Sequence, residues 1–106
     1  MAWIYLVIAA IFEVGWPLGL KLANTPSVTK YLWILFAIIA MALSGVFLFL
    51  AQKQIPIGTA YAIWTGIGTI GTFLIGIILF HDAMSLIRFL GVLLILSGVI
   101  ILKLSH

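Results

Sequence analysis

Residues 1–20, MAWIYLVIAAIFEVGWPLGL, carry a single charge, Glu13, in a run otherwise apolar throughout. A helix that crosses a bilayer needs about 20 mostly apolar residues, so this run is long enough to span one. An acid at that depth costs a few kcal/mol. The chain has just one other acid, Asp82. A carboxyl kept in lipid against such a penalty points to use, and the uses open to it are binding a cation, moving a proton, or both.

Of the 106 residues, 66% are hydrophobic and 7% charged, which is too few charges to cover a water-facing surface. A soluble domain has about a quarter of its residues charged. With a mean hydropathy of +1.43, the chain is an integral membrane protein. The charge gaps count the spans. Residues 31–52, 54–81 and 89–102 are free of Asp, Glu, Lys and Arg, which with the first run makes four segments. The expected fold is all-α, a bundle of four transmembrane helices at about 3–20, 30–52, 58–80 and 85–104, forming one domain over residues 1–106. The last segment is the shortest and spans only if Arg88 and Lys103 snorkel to the interfaces. The first is read as a span and not a cleaved signal, because it lacks a basic start and carries Glu13 and a Trp-Pro pair. Without cysteine, disulfide and thiolate chemistry are out of reach. The net charge of +3 is scattered over loops and gives no basic patch for nucleic acid.

The connections are short. Loop 1 has turn chemistry in Asn24, Thr25 and Pro26. Loop 2 places Pro56 just before the third helix, with Thr59 as its expected cap. Loop 3, HDAMS, is a tight reversal. Such links give an up-down arrangement with both termini on one side. That side holds Lys53 and Lys103, and the other holds Lys21, Lys30 and Arg88. So even a split is a poor orientation signal, and it predicts insertion in both directions. Four helices have a filled core and enclose no pathway alone. A two-fold dimer resolves this. With opposed copies its axis lies in the membrane plane, as in inverted-repeat transporters.

Several side chains are equipped for cation chemistry. Trp16 lies three residues after Glu13 on the same helix face, where its indole N–H can donate to the carboxylate and its ring can cover a cation. A belt position at the interface is the alternative. Pro17 removes a backbone donor and is expected to kink the helix just beyond Glu13. Ser44, mid-span in the second helix, can bond Glu13 or back-bond its own helix. Tyr61 and Trp64, again three apart, suit a cation pocket or simple packing. Gly66, Gly68 and Gly71, with Gly76, allow either close packing or a bend in the third helix. Gly91 and Gly98, one heptad apart, mark a contact face, either between subunits or within the chain. His81 and Asp82 are adjacent in a turn with no third ligand near, so they are read as surface loop and no metal site is expected. Neither a phosphate-binding glycine loop nor a nucleophile–base triad is present, which leaves an enzyme without footing.

Three segments, FEVGWPLGLK (residues 12–21), MALSG (41–45) and PIGTAYAIWTGIGTIG (56–71), resemble the small multidrug resistance exporters and within them the guanidinium-exporter branch. The similarity covers essentially the whole chain. Relatives that export quaternary ammonium drugs tend to have a small residue at the position of Trp16 and Tyr at that of Met41. The resemblance implies a bacterial inner-membrane protein of dual topology, an antiparallel homodimer exchanging protons for guanidinium-type cations without a cofactor. It makes Glu13 the shared proton and substrate site, Trp16 and Ser44 its hydrogen-bond partners, and Tyr61 and Trp64 the rest of the pocket. Gly15 and Pro17, which flank Trp16 where the branch commonly has larger or non-kinking residues, depart from the pattern, as does a longer loop 1. A broader exporter of hydrophobic quaternary ammonium cations is the alternative, and a non-transporting assembly subunit is the rival from another class.

Overall fold

The computed structural model describes residues 1–24 and 28–105, so Thr25 and Pro26 of the expected loop 1 turn lie outside the described residues. Four helices follow one another: α1 Ala2–Ala23, α2 Lys30–Ala51, α3 Ile57–Phe80 and α4 Leu86–Ser105. All four are long and apolar enough to cross a membrane. At 1.5 Å per residue, a helix of about 22 residues covers about 33 Å, a little more than a bilayer's hydrocarbon core. α1 runs past its expected end through Lys21 to Ala23. A lysine near a helix C-terminus is favourable there, and its long stem lets the ammonium reach the interface. Lys21 Nζ lies 5.7 Å from the centre of the Phe80 ring, and Lys103 Nζ lies 4.9 Å from that of Trp3 at the opposite end. These pairs put the end of α1 beside the end of α3, and the start of α1 beside the end of α4, as the up-down expectation requires.

The helices do not close into the bundle with a filled core that the short loops suggested. α1 packs against both α2 and α3, while α4 leans on α3. The Cα extents of 46 × 35 × 16 Å are those of an open slab. Small residues explain the arrangement. A methyl added at Gly19 of α1 would meet Phe36, the Trp33 carbonyl and Ala37 of α2 at 2.9, 3.1 and 3.2 Å. One added at Gly71 of α3 would lie 2.6 Å from Val14 of α1. One at Gly66 would lie 2.5 Å from Val99, where α4 meets α3. Backbones approach where side chains are missing, and α1 has such approaches on two sides. α4 buries no residue, and Gly91 and Gly98 have nothing within 4 Å of a built Cβ. Those two glycines therefore make no close contact with another helix among the described residues.

The best-buried cluster joins Ala2 and Leu6 of α1 to Ala51, Ile55, Ala60 and Ile63, at the end of the slab where the chain starts. Ile55, in loop 2, is 2% exposed and pins that loop to the cluster. Pro56 then stands at the N-cap of α3 with φ −54° and ψ 143°, and no side chain caps this end. The cap expected of Thr59 does not form, because the helix already begins at Ile57 and Thr59 lies inside the first turn. α3 continues unbroken as α-helix to Phe80, and α1 likewise runs through Pro17.

Loop 3 is the tight reversal expected. His81 ends α3 in the left-handed region, φ 56° and ψ 35°. The next N–H, that of Asp82, then turns back to donate to the Gly76 carbonyl at 3.0 Å. Ser85 Oγ then accepts from Arg88 N–H at 3.2 Å, a side-chain cap on the start of α4. A left-handed L-residue costs about 1–2 kcal/mol that glycine avoids. Replacing His81 with Gly is therefore expected to raise stability by about 1 kcal/mol, read as a higher unfolding midpoint in detergent. An unchanged or lower midpoint would contradict the capping account.

Candidate functional site

Glu13 projects from α1 across the backbone of α3. A Cβ built on Gly68 would lie 2.5 Å from Glu13 Cγ, so the absence of a side chain at residue 68 makes room for the acid. Trp16 Nε1–H donates to Glu13 Oε1 at 2.6 Å. Bonds to an ionised acceptor are short and about twice as strong as neutral ones. Both residues are half-buried. A carboxylate offers about four lone-pair positions, so this bond leaves Oε2 and further acceptor capacity unused.

The acid opens onto a cavity of about 440 Å³. Small-ligand pockets run from about 300 to 1,000 Å³. α1 contributes Glu13 and Pro17 to the wall. α3 contributes Thr65, Gly68, Thr69 and Thr72. Asp82 and Arg88 line it from loop 3 and the start of α4. Arg88 is held in place: its guanidinium lies 5.5 Å from the Phe73 ring centre, and one of its terminal N–H groups donates to the Ala83 carbonyl at 2.7 Å. Among the described residues no three His, Cys, Asp or Glu side chains come together.

A second polar group braces α1, α2 and α3. Trp64 Nε1–H donates to Ser44 Oγ at 2.8 Å, and Ser44 Oγ donates to the Ala9 carbonyl at 2.7 Å. Ser44 is 1% exposed. Its hydroxyl thus serves neither Glu13 nor its own helix, the two roles read from the sequence. Ala9 and Ala40 are fully or nearly buried at this crossing, and their small side chains bring α2 near enough for the hydroxyl to reach a spare lone pair on α1. Ala9 precedes Glu13 by one helical turn, so the brace anchors the same stretch of α1 that aims the acid. Tyr61 packs on Trp64 with ring centres 5.4 Å apart, and stays 57% exposed.

The five expected pocket residues therefore form two neighbouring groups. Glu13 and Trp16 lie where α1 meets α3, while Ser44, Trp64 and Tyr61 lie where α2 and α3 meet. Gly66, Gly68 and Gly71 act as packing sites, each against a named side chain: Val99, Glu13 and Val14. Reading the sequence missed, as wall residues, Pro17, the threonines of α3, Asp82 of loop 3 and Arg88 at the start of α4. The threonines had a signal. Residues 65, 69 and 72 follow the i, i+4, i+7 spacing of one helix face, and Gly68 belongs to it too. Asp82 had none, since it is an exposed loop residue that reaches the cavity through the fold of loop 3.

Fold and cavity together define a small multi-pass membrane protein built round a cation-attracting carboxylate. The family described as Small Multidrug Resistance protein matches residues 1–95, and the chain belongs to it. The chain is 47% identical to a guanidinium exporter of Yersinia pseudotuberculosis, over 99% of both sequences. It is 44% identical to a guanidinium exporter of Salmonella typhimurium and 43% identical to one of Escherichia coli, each over 99% of this chain and 98% of the relative. The protein is accordingly a multi-pass protein of the bacterial inner membrane.

The contact between Gly68 and Glu13 makes a sharp prediction. Gly68→Ala is expected to displace the acid and break its bond to Trp16, because the methyl overlaps Glu13 Cγ. The measurement is tryptophan fluorescence: emission from the variant should lose the sensitivity to Glu13→Gln that the parent shows. Retained sensitivity would mean that Glu13 does not cross α3 at Gly68.

Proposed function

We infer that this protein exports guanidinium or a substituted guanidinium cation in exchange for protons, by alternating access within an antiparallel homodimer. The observation that carries the reading is the Glu13 carboxylate, set in an otherwise uncharged span, oriented by Trp16 and open to a cavity. The relatives named guanidinium exporters support the substrate class. The chemistry agrees. A planar guanidinium can give a carboxylate two parallel hydrogen bonds, and an indole face suits a delocalised cation. Tyr61 and Trp64 complete the pocket in this reading, with Ser44 holding Trp64 in position.

Coupling follows from competition. A carboxyl that binds the cation must give up its proton, and one that binds a proton must release the cation. Each Glu13 therefore carries one or the other, and a proton gradient drives the cation the opposite way. Two copies supply two such carboxyls to a shared midplane site, and rocking of the pair exposes it to alternate sides. Three features support the dimer. The slab leaves large apolar faces uncovered, Gly91 and Gly98 of α4 meet nothing inside the chain, and the five basic residues divide almost evenly between the two membrane sides. An interface of α4 with α4 in opposed copies uses all three.

Purified protein in liposomes tests this. With an imposed proton gradient, guanidinium should accumulate, and Glu13→Gln should abolish the accumulation while leaving the protein folded. A quaternary ammonium run in parallel separates the broader exporter. If the Gln variant still concentrates guanidinium, proton–cation exchange at Glu13 is wrong.

A further inference from the structure

Thr65 stands out chemically in the cavity wall. Its Oγ1 is buried with no hydrogen-bond partner, the one side-chain nitrogen or oxygen among the described residues in that condition. A threonine inside a helix ordinarily solves this by donating to the carbonyl four residues back. Thr69 does so with Thr65 O at 2.7 Å, and Ser97 does so with Leu93 O at 2.8 Å. Thr65 does not, although the Tyr61 carbonyl is available at that spacing. Buried polar groups are nearly always satisfied, so an exception calls for a ligand, water or ion. Thr65 lies one turn before Gly68, the residue Glu13 crosses, which is about 4.5 Å along the axis of α3. Both lie on the face that lines the cavity.

A second oxygen nearby lacks its helical donor for a different reason. Proline has no N–H, and the acceptor for residue 17 in an α-helix is the carbonyl of residue 13. α1 is helical through Pro17, so the Glu13 carbonyl lacks its helical donor. Pro17 and Glu13 line the same cavity. One carboxylate thus has two further oxygens beside it, a hydroxyl on α3 without its customary acceptor and a carbonyl on α1 without its helical donor.

We propose that Thr65 Oγ1, aided by the Glu13 carbonyl that Pro17 frees, accepts hydrogen bonds from the N–H groups of the cation and so sets selectivity for N–H-bearing guanidinium over alkylated cations. The proposal rests on the guanidinium reading above and deepens it. Guanidinium has N–H groups all round its plane and no acceptor, so a carboxylate satisfies one edge and leaves the others in need of oxygen. Thr65 and the carbonyl supply that oxygen. A cation alkylated on two of its three nitrogens keeps only the hydrogens of one NH2, which the carboxylate takes, and leaves both oxygens unsatisfied, at a penalty.

The test uses full-length protein in detergent, with guanidinium and N,N,N′,N′-tetramethylguanidinium as probes, and binding to the parent, Thr65→Val and Thr65→Ser compared. Losing one hydrogen bond to a charged group corresponds to about tenfold to a hundredfold in affinity. Thr65→Val should weaken guanidinium by that factor and tetramethylguanidinium far less, so that the two affinities converge, and Thr65→Ser should restore the difference. Should the Val variant not fold, Thr65→Ala removes the same hydroxyl, and Pro17→Ala probes the other acceptor by returning its donor. Unaltered guanidinium affinity in the hydroxyl-free variant would overturn the proposal and mean that water alone occupies the site. Equal loss for both probes, or failure of Ser to rescue, would also overturn it by revealing a packing role. A parent that binds neither probe would instead sink the guanidinium reading, and the two failures are thereby distinguished.

Discussion

Three atoms fix the heart of this molecule: the Cα of Gly68, the carboxylate of Glu13 that lies across it, and the indole N–H of Trp16 that holds the acid from its own helix. A charge in a span has few places to go. Outward lies lipid, where a charge costs a few kcal/mol. Inward lies a neighbouring backbone, which a side chain can approach only where that backbone carries none. Gly68 provides the gap, and Trp16 provides a donor three residues away on the same face. The acid ends in a cavity that reaches from mid-span toward loop 3.

The remaining architecture serves to hold α1 and α3 at that separation. Glycines and alanines bring α1 close to α2 on one side and to α3 on the other. The Trp64–Ser44–Ala9 chain then ties all three together one turn below the acid. Its central hydroxyl is fully used, donating to one partner and accepting from the other, which is the condition for a buried polar network to add order. α4 stands apart from this brace. It packs on α3 at Gly66 and Phe73 and reaches the buried cluster through Val99 and Leu102, while burying no residue of its own.

Much of this was legible in the residues. Charge gaps gave four spans to within a few residues, because in a lipid solvent charge alone marks where helices stop. The three-residue spacing of Glu13 and Trp16 gave their bond, since helix geometry carries it without tertiary help. Contacts between helices were not legible in the same way. Ser44 was expected to serve Glu13 or its own helix, and it reaches Ala9, a choice made by how closely two alanine-lined surfaces approach. The closed bundle failed for a related reason: short loops dictate which helices are neighbours in sequence, but small residues dictate which become neighbours in space. Asp82 was read as surface loop and Arg88 as a snorkelling residue at the start of the fourth span; both are exposed, yet both line the cavity. Helical spacing put Thr65 on a face, and only the packed structure leaves its hydroxyl without a partner.

The central claim is that one carboxyl holds a hydrogen ion and an organic cation by turns, and counting protons tests it most directly. Guanidinium is added to purified protein in a weakly buffered detergent solution, at the lowest pH at which the cation still binds, while a pH indicator follows the medium. The account predicts hydrogen ions released in step with cation bound, saturating together, and no release from protein in which residue 13 cannot ionise. Cation binding at that pH with no accompanying acidification would contradict it.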